Sequence, residues 1–261
     1  MSVPFTPAHR GGSGPPLVLL HGFMDTWRTW ELVLPALERR HDVLALTLPG
    51  HAGGPPLDGD VADALERALD VAGFATAHVA GNSAGGFLAL ELAARGRARS
   101  VVAFAPAGGW APDDGSWCEL LAYQRELLAQ AKVSAPHADA MLATPAGRRR
   151  ATQDLVVRSE HLPTDLLRHL LLGVAACRGG PELIERGLRD GFALDAESIA
   201  CPVRIVWGTE DRLLPWPSAA ARFRTEWLPH ADWVELDGVG HAPQLDVPVE
   251  AAELILGWTA R

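Results

Sequence analysis

The stretch His78-Val79-Ala80-Gly81-Asn82-Ser83-Ala84-Gly85-Gly86-Phe87-Leu88-Ala89-Leu90 decides how the chain is read. A short apolar run enters a Gly-x-Ser-x-Gly pattern and a helical run leaves it, so the pattern sits on a strand-to-helix turn. Such a turn forces the serine into strained backbone angles and leaves room only for small neighbours. Gly81 and Gly85 remove the side chains that would collide, and Gly86 lets the new helix approach the sheet. The turn also sets Ser83 at a helix N-terminus, whose positive end favours developing negative charge.

Working outward from the turn, apolar runs alternate with stretches of helical spacing. Residues 17–20, 42–48, 77–80 and 100–105 read as strands, and residues 27–38, 61–72 and 84–95 as helices. In the first of these helices Trp27, Trp30, Leu34 and Leu37 share one face. The alternation predicts parallel strands with crossover helices on both faces. It stops after Pro106. Residues 110–195 hold four helical patterns and no strand, and the rhythm returns with strands at 203–207 and 233–236 and helices at 218–227 and 249–258. This gives an α/β core of residues 1–109 and 196–261, with residues 110–195 as an inserted helical cap of roughly 85 residues. Pro106, Gly108, Gly109 and Pro202 mark the junctions. The stretch before Leu17 is short for two leading strands.

A chain of 261 residues, 48% of them apolar, suits one large domain that buries its core without staples. The three cysteines, Cys118, Cys177 and Cys201, lie far apart with no Cys-x-x-Cys spacing, which argues against a zinc site or a disulfide framework. A net charge of −9 argues against nucleic acid, which calls for a basic face. The run Arg148-Arg149-Arg150 reads as a solvated helix face, with anion binding left open. No leader-like or membrane-spanning apolar run is visible, so the expectation is a cytoplasmic protein, monomer or homodimer, acting on a small molecule.

A serine hydroxyl is a weak nucleophile until a base takes its proton. Of ten histidines, His241 lies in Gly238-Val239-Gly240-His241-Ala242-Pro243, between the last strand and the last helix. That is the sheet edge where Ser83 lies and where open α/β sheets place their chemistry. Asp211, in Trp207-Gly208-Thr209-Glu210-Asp211-Arg212, follows another strand and supplies the acid that orients the imidazole. Glu210 is the rival, with its side chain expected to point away; Asp232 and Asp237 read as turn or surface residues. The oxyanion needs two donors. One is the Ala84 N–H and the other is assigned to the Phe23 N–H, in the loop His21-Gly22-Phe23-Met24. His21 is expected to brace that loop.

Taken together, Leu19-Leu20-His21-Gly22-Phe23, Leu48-Pro49-Gly50-His51, the Ser83 turn, Gly208-Thr209-Glu210-Asp211 and Gly240-His241 resemble the α/β-hydrolase superfamily along almost the whole chain. The resemblance implies an α/β-hydrolase fold: a mostly parallel, eight-stranded sheet with a helical lid inserted after the sixth strand. In epoxide hydrolases and haloalkane dehalogenases the turn carries aspartate, where Ser83 stands here. An asparagine before the serine is similar to the carbon–carbon hydrolases, but Phe23-Met24-Asp25 and Ala242 depart from their pattern.

The expected activity is hydrolysis of a small or medium carboxylic ester with an apolar part, through Ser83, His241 and Asp211, with no metal and no organic cofactor. Met24, Trp110, Trp117 and Leu213 are expected at the substrate, and Tyr123, Gln124 and the arginine run offer polar contacts from the cap. Other readings are a carbon–carbon hydrolase or lyase, a thioesterase or cyclase acting on a carrier-bound chain, and a ligand receptor on the same fold.

Overall fold

Side chains alternate along a strand, so a strand covered on both faces feeds two separate cores. In the computed structural model, which describes residues 4–260, that separation is clean. Leu17 and Leu19 of β2 (Pro16–Leu20) join one apolar layer, and Val18 and Leu20 join the other. Seven strands form one sheet in the order β1-β3-β2-β4-β5-β6-β7. The others are β1 (Ala8–Gly12), β3 (Asp42–Leu46), β4 (Ala77–Asn82), β5 (Ala98–Phe104), β6 (Val203–Gly208) and β7 (Asp232–Leu236). All neighbours pair in parallel except β1, which runs antiparallel to β3.

The fold class is the expected one, with seven strands instead of eight. The described residues ahead of β2 hold one edge strand, so the helical segment follows the fifth strand, not the sixth. One layer holds α1 (Leu34–Leu37) and α9 (Pro248–Thr259), through Leu34, Leu37, Ile255 and Trp258. The opposite layer holds α2 (Val61–Ala72) and α3 (Ala84–Ala94), through Leu65, Leu69, Phe87 and Leu90. Each such side chain contributes about 1.5–3 kcal/mol by leaving water.

Two helices depart from the sequence reading. The stretch 27–38 breaks into a 3₁₀ turn at Trp27–Trp30 and the single-turn α1, with Pro35 near the start of α1. Proline has no N–H to continue a helix and suits a first turn. The stretch 218–227 is a 3₁₀ turn followed by a π-helical turn at Phe223–Trp227, closed by Leu228 N–H on the Phe223 carbonyl at 2.8 Å.

Between β5 and β6 the described residues contain helices and no strand: α4 (Ser116–Ser134), α5 (Ala138–Leu142), α6 (Pro145–Thr152), α7 (Thr164–Ala175) and α8 (Gly180–Asp190). Their own core includes Leu142, Val156, Leu166 and Leu170, and it closes on Ala242 and Leu245 of the loop after β7. Polar ties fix the seat. Gly179 N–H donates to the Gly50 carbonyl at 2.8 Å, and Ala242 N–H to the Leu155 carbonyl at 2.8 Å. A Cβ on Gly179 would lie 2.7 Å from the Gly50 Cα, so this approach requires glycine. No helix among the described residues is long and apolar enough to cross a membrane.

Candidate active site

Strand β3 lies on one side of β2 and β4 on the other, so the chain reverses its course across the sheet between β2 and β4. The crevice at the carboxyl ends of two such strands is where open α/β sheets bind ligands. The loops leaving those ends are His21–Asp25, after β2, and the turn at Ser83, after β4. Ser83 has φ 56° and ψ −120°, the strained turn its glycine neighbours foretell. A Cβ on Gly81 would meet the Gly85 carbonyl oxygen at 2.1 Å, and one on Gly85 the Leu20 carbonyl oxygen at 2.2 Å. Either substitution would open the turn.

The Asp211 and His241 loops meet beside it. Asp211 Oδ1 accepts from the amides of Leu213 (2.9 Å) and Leu214 (2.7 Å). Its Oδ2 lies 2.7 Å from His241 Nδ1, with both side chains buried. A carboxylate accepts, so the imidazole proton sits on Nδ1 and Nε2 keeps its lone pair. That Nε2 is buried and has no hydrogen-bond partner, and Ser83 Oγ makes no hydrogen bond among the described residues. Such contacts are often long in unliganded sites and tighten around substrate. Glu210 is exposed, Asp232 pairs with Arg204 and exposed Asp237 lies beside Thr209.

The loop after β2 is held by its histidine. Leu48 N–H donates to His21 Nε2 at 2.9 Å, so the ring proton is on Nδ1, which donates to the Gly22 carbonyl at 2.7 Å. Burial and neighbouring His51 hold His21 well below the usual histidine range. It braces as a neutral ring. A Cβ on Gly22 would lie 3.2 Å from the Ser83 Cβ, so this loop runs directly over the serine. No acceptor among the described residues takes the Phe23 or Ala84 amide, and the Ala84 N–H, first in α3, has no intrahelical partner to reach.

Three further residues hold the site, and sequence reasoning did not assign them this work. Asn82 donates from Nδ2 to the carbonyls of His241 (2.9 Å) and Phe104 (3.1 Å), while its Oδ1 accepts from Gln244 Nε2 at 3.0 Å. Asp246, buried, accepts from the amides of Gly240 (2.8 Å), Val157 (3.0 Å) and Arg158 (3.0 Å). It ties the histidine loop to the inserted helices. Asn82 ends β4, and Gln244 and Asp246 lie in the single helical turn Pro243–Asp246, so no period in the sequence picks them out.

Two cavities adjoin through shared walls, and Ser83 lines the first of them. The first, of about 200 Å³, is apolar; Ser83, Ala84, Phe87, Leu121, Ile184 and Phe192 are among its walls. The second, of about 210 Å³, is mixed, and its walls include Met24, Asp25, Tyr123, Arg150, Leu155 and Leu213. Phe23 and Gln124 line both. Met24 and Leu213 therefore line the second cavity, whose walls do not include Ser83. Trp110 and Trp117 line neither cavity. Their rings pack on Phe192, at 5.8 and 6.4 Å between centroids, and Phe192 is the residue that faces the space. The arginine run divides: Arg148 donates to the Leu162 and Ser159 carbonyls and to Thr164, and Arg150 borders the second cavity. No group of three or more His, Cys, Asp or Glu side chains among the described residues could hold a metal ion.

Residues 17–254 match the alpha/beta hydrolase family. The chain is 35% identical over 199 residues to the epoxide hydrolase EphH of Mycobacterium tuberculosis, covering 75% of this chain and 91% of that protein. It is 31% identical over 254 residues to the pimeloyl-[acyl-carrier protein] methyl ester esterase of Aromatoleum aromaticum, covering 92% of this chain and 96% of the relative. Among solved structures, a meta-cleavage product hydrolase from Pseudomonas fluorescens IP01 superposes with a TM-score of 0.71 at 20% identity, over 97% of this chain and 93% of the other. At that identity the likeness speaks for the fold alone. On sequence and architecture together, the chain belongs to the alpha/beta hydrolase family and is a hydrolytic enzyme.

Proposed function

We propose that the protein hydrolyses carboxylic esters through Ser83, His241 and Asp211, the first of them becoming an acyl-enzyme. The observation that carries this reading is the unpartnered, buried Nε2 of His241, whose other nitrogen is held by Asp211, at the sheet edge that presents Ser83. Ser83 Oγ attacks the ester carbonyl as Nε2 takes its proton, and Asp211 stabilises the imidazolium. The negative oxygen is held by the Phe23 and Ala84 amides, each such donor being worth about 10²–10³ in rate. Nε2 then protonates the leaving alcohol. Water attacks the acyl-enzyme by the reverse proton path and releases the acid.

The relative's name raises epoxide opening, and the chemistry at position 83 argues against it. A carboxylate that opens an epoxide leaves an ester, which water can hydrolyse. An alkoxide leaves an ether, which it cannot. Ser83 therefore suits acyl transfer.

The test is a fluorophosphonate probe with a ladder of nitrophenyl esters, comparing wild type with Ser83→Ala. Labelling and turnover should both vanish in the variant, with kcat down by about 10⁴–10⁶. Turnover that survives Ser83→Ala would remove the nucleophile from the scheme.

A further inference from the structure

An ester has two ends, and the proton path says which goes where. In acyl transfer the bond to Ser83 Oγ forms first, and as the tetrahedral intermediate collapses the bond from carbonyl carbon to alcohol oxygen breaks and that oxygen takes its proton from His241 Nε2. The alcohol must therefore leave on the side of His241. The second cavity lies on that side. Its wall residue Leu155 receives the amide of Ala242 at 2.8 Å, and its wall residue Leu213 gives its amide to Asp211 at 2.9 Å. The apolar cavity lies over Ser83, Ala84 and Phe87, on the side of the nucleophile's own helix.

The two spaces also differ in chemistry. No charged side chain lines the apolar one, where Ser83, His51 and Gln124 are the polar residues. The second offers both signs, Asp25 and Asp154 against Arg150, together with neutral amides. At the join stands Gln124 of α4, only 7% exposed, lining both cavities and making no side-chain hydrogen bond among the described residues. Its amide is not among the sealed, unpartnered groups of the interior, so it opens on the cavity space, where a ligand can complete its hydrogen bonds.

We propose that the second cavity is the alcohol subsite, that it takes a neutral, hydroxyl-bearing alcohol, and that Gln124 hydrogen-bonds to that alcohol. This rests on the ester-hydrolase reading and goes beyond it by fixing the orientation and the leaving group. An apolar alcohol would leave the Gln124 amide unmet, and a strongly anionic one would face two carboxylates against the single Arg150 once Asp25 ionises, above about pH 7. Both cavities fall below the roughly 300 Å³ of sites for drug-sized ligands, so each end of the ester is small.

The experiment holds the acyl group constant and varies the alcohol: glyceryl, propyl and glycerophosphoryl hexanoate. Glyceryl hexanoate should exceed the propyl ester in kcat/KM by about tenfold or more, the scale on which a polar site rejects a substrate lacking its hydroxyl. The phosphorylated ester should fall below the glyceryl one. Gln124→Leu, or Gln124→Met if the first does not fold, should bring the glyceryl-to-propyl ratio within about threefold of unity. Leu183→Trp, in the apolar cavity, should instead move acyl-length preference and leave that ratio standing. Calorimetric binding of the same esters to Ser83→Ala reads the cavity without turnover. If no ester is hydrolysed, the hydrolase reading fails, and the binding ratio still judges the subsite. A wild-type ratio near unity, or a preference that survives the Gln124 variants, overturns the proposal.

Discussion

Replacing Asp246 by alanine should damage stability and catalysis together, because one carboxylate joins the histidine loop to the inserted helices. Its oxygens accept from three amides, Gly240 at 2.8 Å and Val157 and Arg158 at 3.0 Å each. Val157 and Arg158 lie in exposed positions, so water can satisfy those two amides, at about 1 kcal/mol lost apiece. The Gly240 amide is buried and would lose its acceptor outright, at about 2 kcal/mol. The sum of about 4 kcal/mol corresponds to a fall in Tm of roughly 10 °C for a domain of this size. The loop that slackens carries His241, and a misplacement of about 1 Å at the reacting groups costs about a hundredfold in rate. Asp246→Asn keeps one accepting oxygen but turns an NH₂ toward an amide donor, so it should fall between alanine and wild type. Thermal unfolding with parallel nitrophenyl ester kinetics reads both effects. A Tm within about 3 °C of wild type, with kcat unchanged, would show that the carboxylate neither seats the helices nor holds the loop.

Asn82→Ala removes the donor to the His241 carbonyl and leaves Gln244 without its Oδ1 acceptor, so kcat should fall by about 10–100-fold while far-UV circular dichroism stays native. Burial pushes His51 from 6.5 down to about 4, so the folded state binds its proton later than the unfolded chain does. Stability is then whole above pH 6.5 and is lost as pH falls toward 4. Urea titrations at pH 7 and 5 should show His51→Gln losing about 2 kcal/mol less than wild type, and equal losses would refute the assignment. Asp25 runs the other way. Burial beside the second cavity raises it from 3.8 to about 7, so its penalty grows as pH rises through that interval. Asp25→Asn, which keeps an acceptor for the Thr26 amide, should gain stability over wild type at pH 8 but not at pH 3.5; a pH-independent difference would count against it.

The residues that could be placed from sequence are those whose backbone constraint is local. Ser83 was legible because a strand-to-helix turn permits only glycine at 81 and 85, where a Cβ would run into carbonyl oxygens. Asp211 could be preferred to Glu210 because consecutive residues leaving a strand point to opposite sides, and the structure buries the first and exposes the second. The helix Val61–Ala72, with its apolar face, was found at its true ends, with Asp60 capping the Asp63 amide at 3.0 Å. Trp110 and Trp117 show the limit of that method. Their size suggested a place at the substrate, but Phe192, far along the chain, takes the position on the cavity wall and the two tryptophans pack behind it.

Long-range polar contacts leave even less trace. The bonds from Asn82 to His241 and from Asp246 to Val157 join residues 159 and 89 positions apart, and each depends on loops whose course the sequence does not encode in any period. Yet these contacts hold the loop that carries His241. The same asymmetry governs specificity. The glycines that make a serine turn are dictated by sterics and recur wherever that turn is built. What distinguishes one hydrolase from another is a side chain such as Gln124, which has no partner inside the fold and whose purpose is visible only once two cavities are seen to meet beside it. Chemistry can therefore be read early from this chain, whereas substrate choice waits on the geometry of the inserted helices.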